Sequence, residues 1–399
     1  MPSEFHHFFH GELESGLRAL ETKSQRRTLA EIRGVNLCSN DYLGLASDAA
    51  LQAAVVETVE EAARVGGTGS RLLSGHRNVW SELEERFAHF AGTEAALYFG
   101  SGYAANLGLL STLLGKADLV FSDASNHASL IDGIRLSGAR KVIYTHLDLD
   151  ALESRLREHR HQPCRKLIVT ESIFSMEGDV ADIAALLHLA ERYDAGLIVD
   201  EAHATAVHGP SGRGIVAAAE AAREVVASVH TCSKALASAG AFVCGNSVLR
   251  EHLINHARTF LFTTAMPPYM AGQIRAALEL ARGMDAQRVE LQAMSTQFCD
   301  SIRAQGWDTA KSTTQIVPAL IGTNAEALRA AEYLQREGFA VRSIRPPTVP
   351  EGTARLRFSL TCTITPDEIV RLERSLEAWR AQSLVPGRAT VAAALAGSA

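Results

Sequence analysis

Lys234 stands in the stretch HTCSKALASAG, residues 230–240, and no carboxylate lies within reach of it along the chain: the positions three and four away are Thr231, His230, Ala237 and Ser238. Exposed helical lysines commonly have Glu or Asp at those spacings. An amine without such a partner can lose its proton and attack a carbonyl, forming a Schiff base. Three other short apolar runs end in polar side chains that suit the same chemistry. GLIVDEAH gives Asp200 and, three residues on, His203; KLIVTESIFS gives Ser175; DLVFSDASNHASL gives His127. Singly, each has an ordinary explanation, since Asp after a strand caps a helix and a lone His is commonly a satisfied core or surface group. One shared location explains all of them together.

An amine nucleophile, a carboxylate and two imidazoles match the needs of an aldehyde cofactor that acts as an electron sink, and the strongest such sink is pyridoxal phosphate (PLP). Asp200 would keep the ring nitrogen protonated, His127 would stack on the ring, and His203 and Ser175 would hydrogen-bond its phenolic oxygen. GSGYAAN, directly after a strand, offers a helix start to the phosphate, and Thr231 adds a hydroxyl. Residues 200–203 also spell DEAH, a helicase signature, but the chain contains no G-x-x-x-x-G-K-[ST] phosphate loop and no dinucleotide-binding glycine fingerprint.

Such residues need strands to deliver them to one edge, because parallel sheets bind ligands beyond their carboxyl ends. Between about residues 95 and 245 the runs AALYF, DLVF, RKVIYT, KLIVT, GLIVD, VVASVH and GAFVCG alternate with helical patterns. That alternation predicts an α/β fold with a mostly parallel sheet covered on both faces. The expected organisation is an N-terminal arm at 1–47, a large α/β domain at 48–283, a smaller α+β C-terminal domain at 284–380 and a flexible tail at 381–399. The smaller domain takes its strands from QIVPALIG and TARLRFSL, around a helix near 324–337. The 399 residues carry a net charge of −6 and no basic run, which argues against nucleic acid or an anionic membrane as partner. Six separated cysteines, with neither C-x-x-C nor zinc-ligand spacing, argue against a disulfide framework or a structural metal. A cytoplasmic location is the expectation, as no signal peptide or membrane span is legible.

The motifs SNDYLGLA, GTGSRLLSGHRNVWSELEERFAHFAGTEAALYF, SGYAAN, NHASLIDG, TESIFSMEGD, VDEAHATAVHGPSGRG, TCSKA, TTAMPP and IRPPTVPEGTARLRFSLT follow one another over about residues 10–375. In them the chain resembles the α-oxoamine synthases, which are fold-type I PLP-dependent enzymes. The resemblance implies a homodimer with the active site between subunits and a decarboxylative condensation of an amino acid with an acyl thioester. The branch it most resembles, that of biotin biosynthesis, joins L-alanine to pimeloyl-CoA or pimeloyl-acyl carrier protein and releases carbon dioxide and free thiol. Use of glycine or serine, or of a broad acyl-CoA range, is the alternative. Carried over by position, Lys234 holds the cofactor covalently and removes the α-proton. Asp200 pairs with the ring nitrogen, His203 and Ser175 with the phenolic oxygen, and His127 stacks on the ring. Gly102, Tyr103 and Thr231 lie on the phosphate side, and the partner subunit's Thr264 reaches the phosphate. Arg345 of IRPP holds the amino acid carboxylate, and Asn40 of SNDYLG lies near the acyl substrate. A non-catalytic relative would be free to lose Lys234, Asp200 or Arg345, and all three are present. One departure is that Ala237 and Ala241 stand where glycines are expected, adding methyl groups to the floor of the site.

Overall fold

The computed structural model describes residues 4–383. Seven strands form its main sheet: β1 (Ala95–Phe99), β2 (Leu119–Asp123), β3 (Arg140–Tyr144), β4 (Lys166–Glu171), β5 (Ala195–Asp200), β6 (Ala227–Thr231) and β7 (Ala241–Gly245). Their spatial order is β1-β7-β6-β5-β4-β2-β3. Only β7 runs against its neighbours, β1 and β6; every other pairing is parallel. Six strands therefore bring their carboxyl ends to one edge of the sheet, where β7 begins.

Alternating side chains of the central strands enter two different cores. Leu119, Phe121, Ile168, Leu197 and Val199 pack on the side of helix Ile183–Arg192, with its Leu186 and Leu189. Val120, Val169, Ile198 and Val229 pack on the other side against Leu109 and Leu110 of helix Gly102–Leu113. A sheet covered on both faces needs apolar residues at successive positions, which is why these strands read as unbroken apolar runs. The edge strand β3 differs: Arg140, Lys141 and Ile143 are exposed, and its two charges guard the open edge against further pairing.

A second, antiparallel sheet of β8 (Ile316–Gly322), β9 (Ser343–Ile344) and β10 (Ala354–Ser359), in order β9-β10-β8, carries helices Asn324–Arg336 and Pro366–Ser383. The N-terminal stretch is built into this part of the molecule. Val35–Asn36 pairs in parallel with Phe339–Ala340. Leu37, Tyr42, Leu43 and Leu45 are buried in one cluster with Leu356, Phe358, Trp80 and Phe87, so the two sheets share a continuous core. The expected boundary at 283/284 falls in the short link between helices Tyr269–Arg282 and Asp285–Ala304. Of the stretch expected to be a tail, residues 381–383 finish the last helix and 384–399 lie outside the described residues. Among the described residues no helix is long and apolar enough to cross a membrane, and no cluster of metal-ligating side chains occurs.

Candidate active site

Asp200 closes β5 and is buried. One of its carboxylate oxygens accepts from the Ala202 N–H at 2.8 Å and the other from Asn106 Nδ2 at 2.6 Å. Asn106, on the buried face of helix Gly102–Leu113, also donates to Ser129 Oγ at 2.9 Å. Both partners of Asp200 are neutral, and no ion pair among the described residues offsets its charge. Lys234 follows β6 by three residues, and its ammonium has no hydrogen-bond or ion-pair partner among the described residues. Burial pulls its pKa below the usual lysine range; Arg357 adds to this, while Asp200 and Glu171 act against it. A depressed pKa at an amine without a partner is the condition for nucleophilic attack.

His127 caps helix Ala128–Ser137 from the turn after β2. Its backbone N–H donates to Glu171 Oε1 at 2.6 Å, and its Nδ1 accepts from the Ser129 N–H at 3.2 Å. That assigns the ring hydrogen to Nε2 in the neutral form. Burial lowers the proton affinity of His127, and Lys234 adds to the effect against Asp200, so the neutral ring is favoured. Glu171 ends β4 directly beside Asp200 in the sheet register. Burial and the neighbouring Asp200 raise its pKa well above the carboxylate range, favouring the protonated acid there.

His203 is buried, and its Nδ1 lies 2.6 Å from Tyr42 Oη. Tyr42 is also 3.1 Å from Asn40 Oδ1, which already accepts from Arg357 Nη2 at 3.1 Å. Asn40 Oδ1 can only accept, so both contacts are hydrogen bonds together when Tyr42 donates to Asn40 and receives the Nδ1–H of His203. Burial holds His203 well below the ordinary histidine pKa, with Lys234, Arg357 and His127 contributing, so the neutral ring is favoured. Arg357 gathers the rest of this side. It donates through Nε to the Ser175 carbonyl at 2.5 Å and through Nη1 to Ser359 Oγ at 2.7 Å.

The phosphate-side candidates meet at the start of helix Gly102–Leu113. A Cβ added to Gly102 would lie 2.6 Å from Thr231 Cγ2, so glycine leaves room for the Thr231 side chain against the helix start. Ser101 Oγ caps the Ala104 N–H at 3.1 Å, and the N–H groups of Gly102 and Tyr103, which have no partner inside the helix, remain available to an anion. Tyr103 is partly exposed, and its hydroxyl bonds Asp132. Thr264 is exposed and bridges to Ser70, with no hydrogen bond to the cluster among the described residues. Arg345 is buried, but its guanidinium bonds the carbonyls of Ser24 and Arg26.

Ala237, three residues past the lysine, has φ 42°, where a side chain is strained and glycine is not. Ala237→Gly is expected to raise stability by about 0.5–1 kcal/mol in a denaturant titration, strain relief outweighing the added freedom of the unfolded chain.

Sequence reasoning passed over Asn106, Glu171, Tyr42 and Arg357. Asn106 ends the quoted SGYAAN, and Arg357 stands at the second of two alternate arginines in ARLRFS, a strand in which every residue is buried. A charge at a buried strand position is the signal that points to Arg357.

The family model for aminotransferase class I and II matches residues 32–376. The chain is 46% identical over 362 residues to the 8-amino-7-oxononanoate synthase of Geobacter sulfurreducens, spanning 90% of this chain and 92% of that one. Among solved structures it is similar to a serine palmitoyltransferase of S. paucimobilis solved with a PLP–myriocin adduct, with TM-score 0.86 and 28% identity over 94% of this chain and 98% of that chain. It is also similar to 8-amino-7-oxononanoate synthase from Francisella tularensis, with TM-score 0.75 and 29% identity over 88% of this chain and 99% of that chain.

Proposed function

Because the chain belongs to the aminotransferase class I and II family, we propose that it is a PLP-dependent acyltransferase that condenses L-alanine with a pimeloyl thioester, giving 8-amino-7-oxononanoate, carbon dioxide and free thiol in biotin biosynthesis. The observation that carries the chemistry is a half-buried, unpartnered amine at Lys234 near a buried carboxylate at Asp200 that only neutral groups hold. The choice of substrates is supported by the relative from Geobacter sulfurreducens and by the neighbour from Francisella tularensis.

The residues present fit PLP. A half-buried amine and a buried carboxylate that form no ion pair with each other suit a cofactor that takes an amine at its carbonyl and a carboxylate at its ring nitrogen, and Gly102 beside the Thr231 side chain leaves a helix N-terminus for its phosphate. When bound, PLP supplies a sink for the electron pair released at the amino acid's α-carbon. Asp200 holds the ring-nitrogen proton, and Asn106 and the Ala202 N–H fix the carboxylate that does so. His127 presents a neutral imidazole face, and Tyr42 holds His203 in place through its Nδ1. Lys234, whose amine is readily deprotonated, attaches the cofactor and, once released, takes the α-proton. Arg357 is the group best supported for the amino acid carboxylate. It is buried without an anionic partner, and it lies close enough to Lys234 and His203 to lower the proton affinity of both. Clamping the carboxylate leaves the α-proton bond free to stand perpendicular to the ring.

The acting unit is a homodimer whose subunits share the site. Leu73, Val65 and Phe262 are strongly exposed on the segments around the Ser70–Thr264 bridge, which supports a covering partner there that brings Thr264 to the neighbouring phosphate. Mixing the PLP-loaded protein with L-alanine and pimeloyl-CoA should release thiol and carbon dioxide in equal amounts, with 8-amino-7-oxononanoate detected by mass. Thiol release with glycine or serine but not with alanine would reassign the amino acid substrate, and no release with any of the three would refute the synthase reading.

A further inference from the structure

Two loops at the edge of the site are joined by an imidazole that none of the roles above uses. His146 lies two residues past β3, with Nδ1 2.8 Å from Asp123 Oδ1 and Nε2 3.0 Å from Asp179 Oδ2. Its ring stands edge-on to the buried Phe174, at 4.4 Å between centroids and 81° between planes. An ionised carboxylate only accepts hydrogen bonds. With one carboxylate on each nitrogen, both nitrogens must donate, and the ring is an imidazolium. Burial opposes that charge, but the hydrogen bonds donated to Asp123 and Asp179 prevail and raise the pKa to about 10. The other ionisable groups nearby are Glu177, which Arg355 pairs at 3.1 Å, and Tyr144, whose phenol burial and Asp123 keep protonated.

The two carboxylates belong to different loops. Asp123 ends β2 and opens the turn to His127: its carboxylate accepts from the N–H groups of Ser125 at 2.8 Å and Leu147 at 2.9 Å, and its carbonyl from Asn126 at 3.3 Å. Asp179 closes the loop that begins at Phe174, its carbonyl accepting from the Phe174 N–H at 3.1 Å. Ser175 lies inside that loop, and Arg357 Nε holds its carbonyl from the opposite side.

We propose that His146 is a positioning residue: its imidazolium bridges the turn carrying His127 to the loop carrying Ser175, and so sets how those two groups meet the cofactor ring. The proposal rests on the PLP reading of the site. Because the folded pKa lies above that of a free imidazole, the bridge's contribution to folding is complete below about pH 6.5 and is lost as pH rises through about 10.

In the holoenzyme, His146→Gln is expected to keep the far-UV circular dichroism of the wild type while the PLP dissociation constant, from equilibrium dialysis, rises about tenfold or more. The pH midpoint of the bound cofactor's visible absorbance should shift with it. Asp179→Asn should weaken PLP binding in the same direction, and the double variant should fall short of the product of the two effects, since both break one connection. In the wild type, the imidazole nitrogen signals of His146, assigned through the contact with Phe174, should report a doubly protonated ring up to about pH 9. A folded His146→Gln protein that binds PLP within about threefold of wild type, with unshifted absorbance, overturns the positioning role. An imidazole that titrates below about pH 8 overturns the charged bridge, and this measurement decides even where no variant folds. A wild type that takes up no PLP overturns the proposed function and the positioning role with it; the imidazole titration still judges the bridge.

Discussion

Lys234→Ala is expected to lower turnover by about four orders of magnitude or more and to abolish the visible absorbance band that PLP gives with the wild-type protein. Compared as PLP-free proteins, the variant is also expected to keep the wild-type melting temperature or exceed it. Removing a group that makes packed or hydrogen-bonded contacts in the interior costs stability, but the Lys234 ammonium has no such partner among the described residues, and its burial already disfavours its charge. Truncating it removes a desolvated cation. Loss of function without loss of stability separates a site built for chemistry from one built for folding. Absorbance spectra, thiol release and thermal denaturation of the two proteins side by side would decide it. A Lys234→Ala protein with the same visible band, or with activity within about tenfold of wild type, would remove Lys234 from the mechanism.

The sheet edge was legible because it rests on local signals. Each central strand is an unbroken apolar run with a polar residue at its carboxyl end, and the parallel rule turns six separate sequence positions into one place. Asp200, His127 and Lys234 came from that rule, and the structure does bring their charges within reach of one another. The groups that tune them were not legible in the same way. Asn106 holds Asp200 across 94 positions and Tyr42 orients His203 across 161, distances over which no periodicity speaks. Tyr42 sits in the stretch expected to be an N-terminal arm, and it is fully buried in the shared core. The charge state of Glu171 depends on its register beside Asp200, and pairing order is a property of topology that the strand sequences do not carry.

The two arginines divide most sharply under mutation, and the second large effect is expected at Arg357. Arg345 was the residue that resemblance matched to the carboxylate of the amino acid substrate. In the fold its two terminal nitrogens bond the carbonyls of Ser24 and Arg26 while its buried Nε has no partner among the described residues, and Arg27 bonds the carbonyls of Arg345 and Pro346, so it ties the N-terminal segment to the IRPP turn. Arg357 has neutral partners only, in Ser175, Ser359 and Asn40, and it stands on the His203 side of the site. A buried cation satisfied by neutral acceptors gains most from an arriving carboxylate, and a truncated partner of such a charge pair costs about 2–5 kcal/mol. Arg357→Ala is therefore expected to lower kcat/KM for L-alanine by about 10²- to 10³-fold or more. Arg357→Lys should recover little, because a point charge cannot reproduce a two-point clamp. Arg345→Ala should cost about tenfold or less in kcat/KM and show most of its effect in thermal stability. Titrating L-alanine against the cofactor's absorbance in each variant separates binding of the amino acid from later steps. If Arg345→Ala loses alanine binding while Arg357→Ala keeps it, the carboxylate belongs to Arg345. The Ser24 and Arg26 carbonyls must then release its guanidinium when the amino acid enters, and the N-terminal segment becomes the part of the chain that has to move.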